Sequence, residues 1–358
     1  AWSPDGKWMY FGVEVGGYNH LWRQRFPNGK PEQITFGPTE EAGIAIAPDG
    51  RSLITSIGMQ ESAVWIHDAH GERPLSSEGY VAPMRMTPFS SVRFSSDGKR
   101  LFYLLRRNSP TSATELWTTD LASGRNAALL RGVSIGDYDL SRDEKEIVFS
   151  TQPDGKPSQL WIAPLDLSSP PRMIASGGEV WPHFGPDGLL LFQMTYGKAN
   201  YLVRAKKDGS DRSKVVPYTT GNIQGMSPDR RWIVLGLRLP DRSTGAEMAL
   251  PVGGGAPRQI CAGFCPVAWA PDGRSFYVGV TSSSRTSPGK TLAIPVPPGE
   301  TFPRLPASGI RGPEDARALP GARLIDGYRI SPGPDPSLFA YVKTTMHRNL
   351  FRITLPED

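Results

Sequence analysis

The chain has 358 residues, 38% of them hydrophobic, with 39 Gly and 35 Pro, which fits a large core interrupted by frequent turns. Its net charge of +5 is spread over 40 basic and 35 acidic residues without a basic run, which excludes a nucleic-acid surface or an anionic-membrane surface. No stretch reaches the roughly 18 consecutive apolar residues of a transmembrane helix, so no membrane span is predicted.

One turn motif recurs from the first residues to the last: an apolar residue followed by Ser-Pro-Asp-Gly or a variant of it. Its copies lie at 2–6, 46–50, 94–98, 140–144, 184–188, 226–230, 269–273 and 330–335. The Asp residues of successive copies are 42–48 residues apart up to Asp272, and 63 apart at the last step. Ser, Pro and Gly at the first, second and fourth places are typical of a type I turn between antiparallel strands.

Each turn is followed by a β-branched and aromatic run, and a third strand recurs about 16–21 residues after each Asp. The third strands lie at 20–23, 63–66, 115–118 and 159–162, with weaker copies at 201–204, 249–251, 292–295 and 349–352. A repeat of this length predicts one four-stranded blade per copy. The sequence therefore predicts an all-β fold, a β-propeller of eight four-stranded blades, with seven as the alternative because the last copy is irregular.

The whole chain, 1–358, is predicted to be a single propeller domain and a fragment of a longer protein, because it begins inside a copy of the repeat. The long interval between the last two copies of the motif contains a Pro/Gly-rich insertion at 281–326, in which 314–319 is predicted to form one short helix. Few residues follow the last third strand, so the outer strand of that blade must come from elsewhere in the chain.

The turns and the Leu-Trp third strands together resemble the TolB-type, WD-repeat-like bacterial β-propeller. Segments such as 160–166 and 349–353 are similar to C-terminal propellers of membrane-anchored bacterial proteins that carry an N-terminal serine/threonine kinase or winged-helix domain. The resemblance implies an extracytoplasmic sensing or interaction module. Because fold does not specify function, the role has to be argued from the residues of a site.

The inner strands of a propeller line its central channel, so the residue before each copy's apolar residue is informative. These positions are Ala1, Ala45, Arg93, Asp139, His183, Gly225, Ala268 and Arg329. Arg93, Asp139, His183 and Arg329 are predicted to form a polar ring that binds an anion or a peptide carboxylate, with Tyr138, Trp181, Gln224 and Asp326 shaping its mouth. The alternative is a channel whose charges pair with one another.

The other motifs in the sequence do not predict a catalytic site or a metal site. The 132–136 segment matches G-x-S-x-G, but a nucleophile elbow requires a following helix, which is not predicted. Cys261 and Cys265 are the only cysteines; they are a candidate disulfide in an oxidising compartment, or small buried residues in the cytosol. No metal site and no cofactor is predicted, because structural zinc requires four ligands.

We therefore expect a non-enzymatic propeller that binds a protein, a peptide or a small molecule, as the sensor or scaffold of a larger bacterial signalling protein whose other part carries a kinase domain or a winged-helix domain. The expected location is periplasmic, with a cytoplasmic location as the alternative, and with membrane attachment only through a segment outside this sequence. The competing hypotheses are a propeller hydrolase or lyase with an active site at the channel mouth, and a structural interaction module of the envelope.

Overall fold

The computed structural model describes residues 1–15, 18–75, 80–81, 92–106, 113–153, 155–237, 245–280, 289–327 and 330–355, without the side chains of residues 60, 61, 80, 81 and 316. The fold is almost entirely β, and strands form around each of the eight repeat copies. The predicted all-β propeller is confirmed. Hydrogen bonding groups the strands of the described residues into seven antiparallel sheets.

The strands follow the repeat copies in chain order. The first three copies contain β1 (Trp8–Val15), β2 (Tyr18–Arg25), β3 (Pro31–Gln33), β4 (Glu40–Ile46), β5 (Ser52–Asp68), β6 (Gly71–Pro74), β7 (Tyr80–Val81), β8 (Arg93–Phe94), β9 (Arg100–Arg106), β10 (Thr114–Asp120) and β11 (Asn126–Leu130). The next two contain β12 (Ile135–Leu140), β13 (Glu146–Thr151), β14 (Gln159–Pro164), β15 (Arg172–Ala175), β16 (Val180–Phe184), β17 (Leu189–Tyr196), β18 (Ala199–Lys206) and β19 (Ser213–Lys214).

The last three copies contain β20 (Thr220–Met226), β21 (Trp232–Leu237), β22 (Ala246–Pro251), β23 (Arg258–Cys261), β24 (Val267–Trp269), β25 (Ser275–Val280), β26 (Lys290–Pro295), β27 (Arg323–Asp326), β28 (Ser331–Pro332) and β29 (Phe339–Thr354). A short 3-10 helix spans Pro186–Gly188. The predicted helix is present as α1 (Pro313–Arg317).

The repeated turns have the predicted geometry. In the copy at 94–98 the Gly98 N–H donates to the Ser95 carbonyl at 2.9 Å, and the equivalent bond closes five further turns. The fourth position has a positive φ, +70° at Gly98, which explains the preference for glycine there. The Ser95 hydroxyl donates to the Asp97 carboxylate and accepts the Arg100 N–H, so each motif residue has a defined role.

The closed ring contains six of the eight copies. Among the described residues, inner strands β12, β16, β20, β24, β28 and β8 contact one another in succession, and Arg93 of β8 binds Asp139 of β12 to complete the circle. Hydrophobic clusters fill the spaces between neighbouring blades; Phe102 and Tyr138, for example, come from adjacent sheets. Within the described residues the eight repeat copies thus form seven sheets, the predicted alternative, and six of these sheets place an inner strand around the axis.

The ring is closed by an exchange of strands between the second and the last copies. Strand β5 is continuous over 17 residues and pairs with β29 from Ser52↔Thr354 to His67↔Phe339. The closing blade thus consists of β28, residues 339–345, residues 62–68 and β6. The expectation that the last blade takes its outer strand from elsewhere is correct, and the third strand comes from there as well.

The remaining strands form an arm outside the ring, made of β1–β4 and of residues 52–58 and 346–354. Its two sheets pack against each other through Tyr10, Leu21 and Leu53. Between them the buried Glu41 carboxylate lies 3.0 Å from Nδ1 of His20. The face of residues 346–354 that lies away from the contact between the two sheets carries Leu350, whose exposed fraction is 76%. The predicted channel positions Ala1 and Ala45 belong to this arm and not to the channel.

The segment between β26 and β27 covers the outer edge of the blade formed by β20–β23. Phe302 and Ile310 are buried in the same cluster as Trp269, and the Ile310 N–H donates to the Ile260 carbonyl at 2.8 Å. Cys261 and Cys265 are joined by a disulfide in this region. In the part of the chain that the structure describes, no helix is long and apolar enough to cross a membrane.

Candidate functional site

Asp139 is the centre of an ion-pair network at the end of the channel where the repeated turns lie. Its side chain is 1% exposed. One carboxylate oxygen accepts from Nη1 of Arg93 at 2.8 Å. The other accepts from Nη1 of Arg230 at 2.5 Å and from the Phe184 N–H at 3.0 Å. The network therefore connects four blades around the axis.

The charge state of this network follows from its surroundings. Burial alone would raise the pKa of Asp139, but the attraction of Arg230 and Arg93 outweighs burial, so the pKa lies far below its ordinary value. Burial raises the pKa of Tyr138, whose ring lies 5.6 Å from the Arg93 guanidinium carbon. Asp139 is thus ionised at neutral pH and is held between two cations.

His183 lies beside this network without a hydrogen bond to it. Its Nδ1 is 3.6 Å from the Asp139 carboxylate and has no hydrogen-bond partner. Burial lowers the pKa of His183 in spite of the neighbouring Asp139 carboxylate, so the ring is neutral at neutral pH.

Arg230 reaches Asp139 because it replaces the glycine of its turn. Its φ is +62°, in the left-handed region that costs a non-glycine residue about 1 kcal/mol or more. From there its guanidinium also donates to the Leu140 carbonyl at 2.7 Å. Glu144 is the only other non-glycine at this place among the six turns closed by the bond described above; its φ is +54°, and it binds Arg100 of the neighbouring blade.

These two positions make a matched pair of variants. Arg230→Gly relieves the backbone strain but removes one of the two cations from a buried carboxylate, so we expect a net loss of about 2 kcal/mol in the free energy of unfolding. Glu144→Gly relieves similar strain and loses a partly exposed ion pair, so we expect a change within about 1 kcal/mol. Urea unfolding of both variants measures the difference; equal effects would contradict a special role for Arg230.

A second acid on β12, Asp137, has a raised pKa, whereas the pKa of Asp139 is lowered. It is 7% exposed, and the Ser150 hydroxyl lies 3.3 Å from its carboxylate. Burial raises its pKa to about 7, although the backbone N–H of Trp181 also donates to it. Trp181 itself has a φ of +52° at an irregularity in the β16–β17 pairing. Asp137 was not predicted, because the sequence shows only one channel position per copy.

The structure separates the other predicted site residues. Gln224 is buried, lines the cavity described below, and donates to the Glu247 carboxyl at 3.3 Å. Asp326 lies on the outer strand β27, 91% exposed, where it pairs with Lys290, so its predicted place at the channel mouth is wrong. The insertion ends in an outer strand before the next inner strand begins. Arg329 lies outside the described residues.

A cavity of about 990 Å³ opens at the turn-bearing end of the channel, over this network. Its wall combines charged side chains with apolar ones: Arg93, Asp139, Arg142, Arg230, Met226, Pro228, Trp269 and Pro297. The 296–301 segment contributes to the wall, and its Thr301 hydroxyl donates to Asp229 at 2.8 Å. No group of three or more His, Cys, Asp or Glu side chains able to hold a metal occurs among the described residues.

Among solved structures, TolB from Agrobacterium tumefaciens is 16% identical and matches 80% of this chain and 99% of its own, with a TM-score of 0.54. This chain has the fold of a TolB-type β-propeller. TolB from Acinetobacter baumannii (13% identical, covering 81% and 78%) and an oligogalacturonate lyase from Vibrio parahaemolyticus (14%, covering 78% and 84%) have TM-scores of 0.48 and 0.43.

Sequence comparisons add less. An uncharacterized protein of Agrobacterium fabrum is 26% identical over 191 residues, which cover 52% of this chain and 61% of that protein. No protein-family model matches the chain. The TolB-type likeness therefore describes the fold, and the function has to be argued from the cavity.

Proposed function

We propose that the turn-bearing end of the channel binds an extended segment of a partner protein, and that the domain is a non-enzymatic interaction module. The observation that carries the proposal is the open cavity of about 990 Å³, which joins prolines and aromatic residues to guanidinium groups. An extended peptide offers both apolar side chains and carboxylates, so this mixed wall suits it. A small, deep and uniformly apolar cavity would instead favour a small apolar ligand.

Two arginines are placed to receive a carboxylate of that segment. Arg93 is held on Asp139 and beside Tyr138, yet its side chain is 31% exposed. Arg142 lines the same cavity and is exposed. A guanidinium that is already oriented loses less entropy when it binds, so Arg93 is the anchor and Arg142 the second contact.

The proposal extends to the cellular context. The domain would act as the sensor or scaffold of a larger bacterial signalling protein, outside the cytoplasm. The disulfide between Cys261 and Cys265 supports an oxidising compartment.

The test starts from a library of random twelve-residue peptides selected on the intact domain. Selected peptides are labelled, and their affinity is measured by fluorescence anisotropy. We expect Arg142→Gln to weaken binding about tenfold, as the loss of a charge-assisted contact does. The matched control is Arg131→Gln, an exposed arginine that does not line the cavity.

Three outcomes would contradict the proposal. Equal affinity of the Arg142→Gln and Arg131→Gln variants would place binding elsewhere. Cleavage of selected peptides, followed by mass spectrometry, would favour a hydrolase with its active site at the channel mouth. Failure to select any peptide would favour a purely structural module of the envelope.

A further inference from the structure

A second cavity, of about 400 Å³, opens at the other end of the blade formed by β20–β23. Strand β21 begins at Trp232 beside the repeated turn and ends at Leu237, which lines this cavity. The two cavities therefore lie at opposite ends of this blade. Glu247, on β22, is part of the lining of the second one.

Glu247 occupies a position where two other blades have a buried leucine. The outer-strand pairing has the same irregularity in three blades, between Leu116 and Trp117, between Leu160 and Trp161, and between Glu247 and Met248. Leu116 and Leu160 are fully buried. A carboxyl group in a core leucine position lowers stability, so this blade departs from the repeat at a free-energy cost.

The carboxyl group of Glu247 is only half satisfied. One oxygen accepts from Nε2 of Gln224 at 3.3 Å, and the other is buried without a hydrogen-bond partner. The residue as a whole is 2% exposed. Burial raises its pKa to about 8 in spite of the hydrogen bond from Gln224, so the carboxyl group is mainly neutral at neutral pH.

The rest of the lining favours a positive ligand. Among the described residues that line the cavity, Glu247 is the only ionisable one, so none of these lining residues offers it a cation. The hydroxyl of Thr220 and the amide of Asn222 lie nearby. The ring of Phe264, 57% exposed, stands at the cavity and belongs to the short loop between the disulfide-bonded cysteines. An aromatic face attracts cations.

We propose that this cavity binds a compact organic cation, an aliphatic ammonium ion, with Glu247 as its counter-ion. The ligand enters as the ammonium form, and the Glu247 proton leaves to solvent as the ion pair forms. A buried carboxylate without a partner is unstable, whereas one paired with an ammonium group keeps its charge. Gln224 lines the larger cavity and donates to Glu247, but this inference does not rest on the proposed peptide site.

The probe is n-butylammonium, with n-butanol as its neutral counterpart, and affinity is measured by ligand-observed NMR titration. Because the carboxyl must lose its proton, the affinity of the wild-type protein for n-butylammonium should rise about tenfold per pH unit from pH 5.5 to 7.5. The affinity for n-butanol should not change. Calorimetry in two buffers should show release of close to one proton per bound ammonium ion at pH 6.

Variants separate binding from folding. Glu247→Gln should weaken n-butylammonium binding at least tenfold at pH 7.5 and remove its pH dependence. Glu247→Leu introduces the residue that two other blades have at this position, so it should abolish binding and raise the melting temperature. Phe264→Ala, at an exposed position, should weaken n-butylammonium binding about threefold without affecting folding. Binding that is unchanged in Glu247→Gln, or a flat pH profile in the wild-type protein, would overturn the proposal.

Discussion

Asp139→Asn should lower the free energy of unfolding at pH 7 by about 3–5 kcal/mol, the largest effect we expect of a single isosteric change in this protein. The substitution leaves Arg93 and Arg230 facing an uncharged amide in a buried place, and the Phe184 N–H loses an anionic acceptor. Equilibrium urea unfolding, followed by tryptophan fluorescence, measures the change.

The pH dependence of this effect has a definite sign. Because the folded-state pKa of Asp139 lies below its unfolded value of about 4, its ionisation stabilises the fold above pH 4 and is lost as pH falls further. The difference between wild-type and Asp139→Asn should therefore be largest near pH 7 and shrink below pH 4. A difference that stays constant down to pH 2 would contradict the ionised network.

Asp137→Asn is the matched control on the same strand. Its folded-state pKa is raised to about 7, so its contribution is present below pH 4 and is lost as pH rises through 7. We therefore expect Asp137→Asn to be neutral or stabilising at pH 8. Two aspartates two residues apart on β12 should thus respond in opposite directions to the same substitution.

The second large effect concerns the strand exchange. The Ser62 hydroxyl lies 3.0 Å from that of Thr344, and these residues are 282 apart in sequence. A Ser62→Cys/Thr344→Cys variant should form a disulfide on oxidation, and chain-entropy arguments give a stabilisation of about 5 kcal/mol for so long a loop. Faster migration in non-reducing gels and a cross-linked tryptic peptide detect the bond; urea unfolding of oxidised and reduced forms gives its energy.

An Ile57→Cys/Ala63→Cys variant tests the alternative topology. In the register of the other blades these positions would face each other if residues 52–68 folded back as a hairpin, whereas in the structure Ile57 pairs with Asn349. We expect no efficient cross-link in this variant. A cross-link at Ile57 and Ala63, without one at Ser62 and Thr344, would show that the exchange does not take place.

The sequence predicts the individual blades, but it does not predict which strands pair to close the ring. The pairing register of β5 and β29 explains why. In the register of the other blades, where Arg100 faces Asp120 and Glu146 faces Pro164, Ser52 would face Asp68 and Phe339 would face Ile353. The structure pairs Ser52 with Thr354 and His67 with Phe339. Each residue keeps a third-strand partner of equivalent position, so the local pattern is compatible with both arrangements.

The candidate site was also predicted only in part, because the repeat pattern identified some of its residues and not others. Counting positions from each turn located Arg93, Asp139 and His183, which the structure brings together. Arg230 was missed although its signal was visible, an arginine where the turn requires a positive φ. Glu247 was missed because it replaces the leucine that marks the third strand, so that strand was placed too late, at 249–251.

The ladder between β5 and β29 also determines how the domain responds to mechanical force. Ser52 and Thr354 are paired at one end of it, and the Leu355 N–H donates to the Arg51 carbonyl beside them. A pull that separates these two points loads one residue pair at a time, as in unzipping, rather than the whole ladder in shear. The arm would open first, at low force, and the ring would lose its closing blade only after the pairs beyond residue 60 had separated.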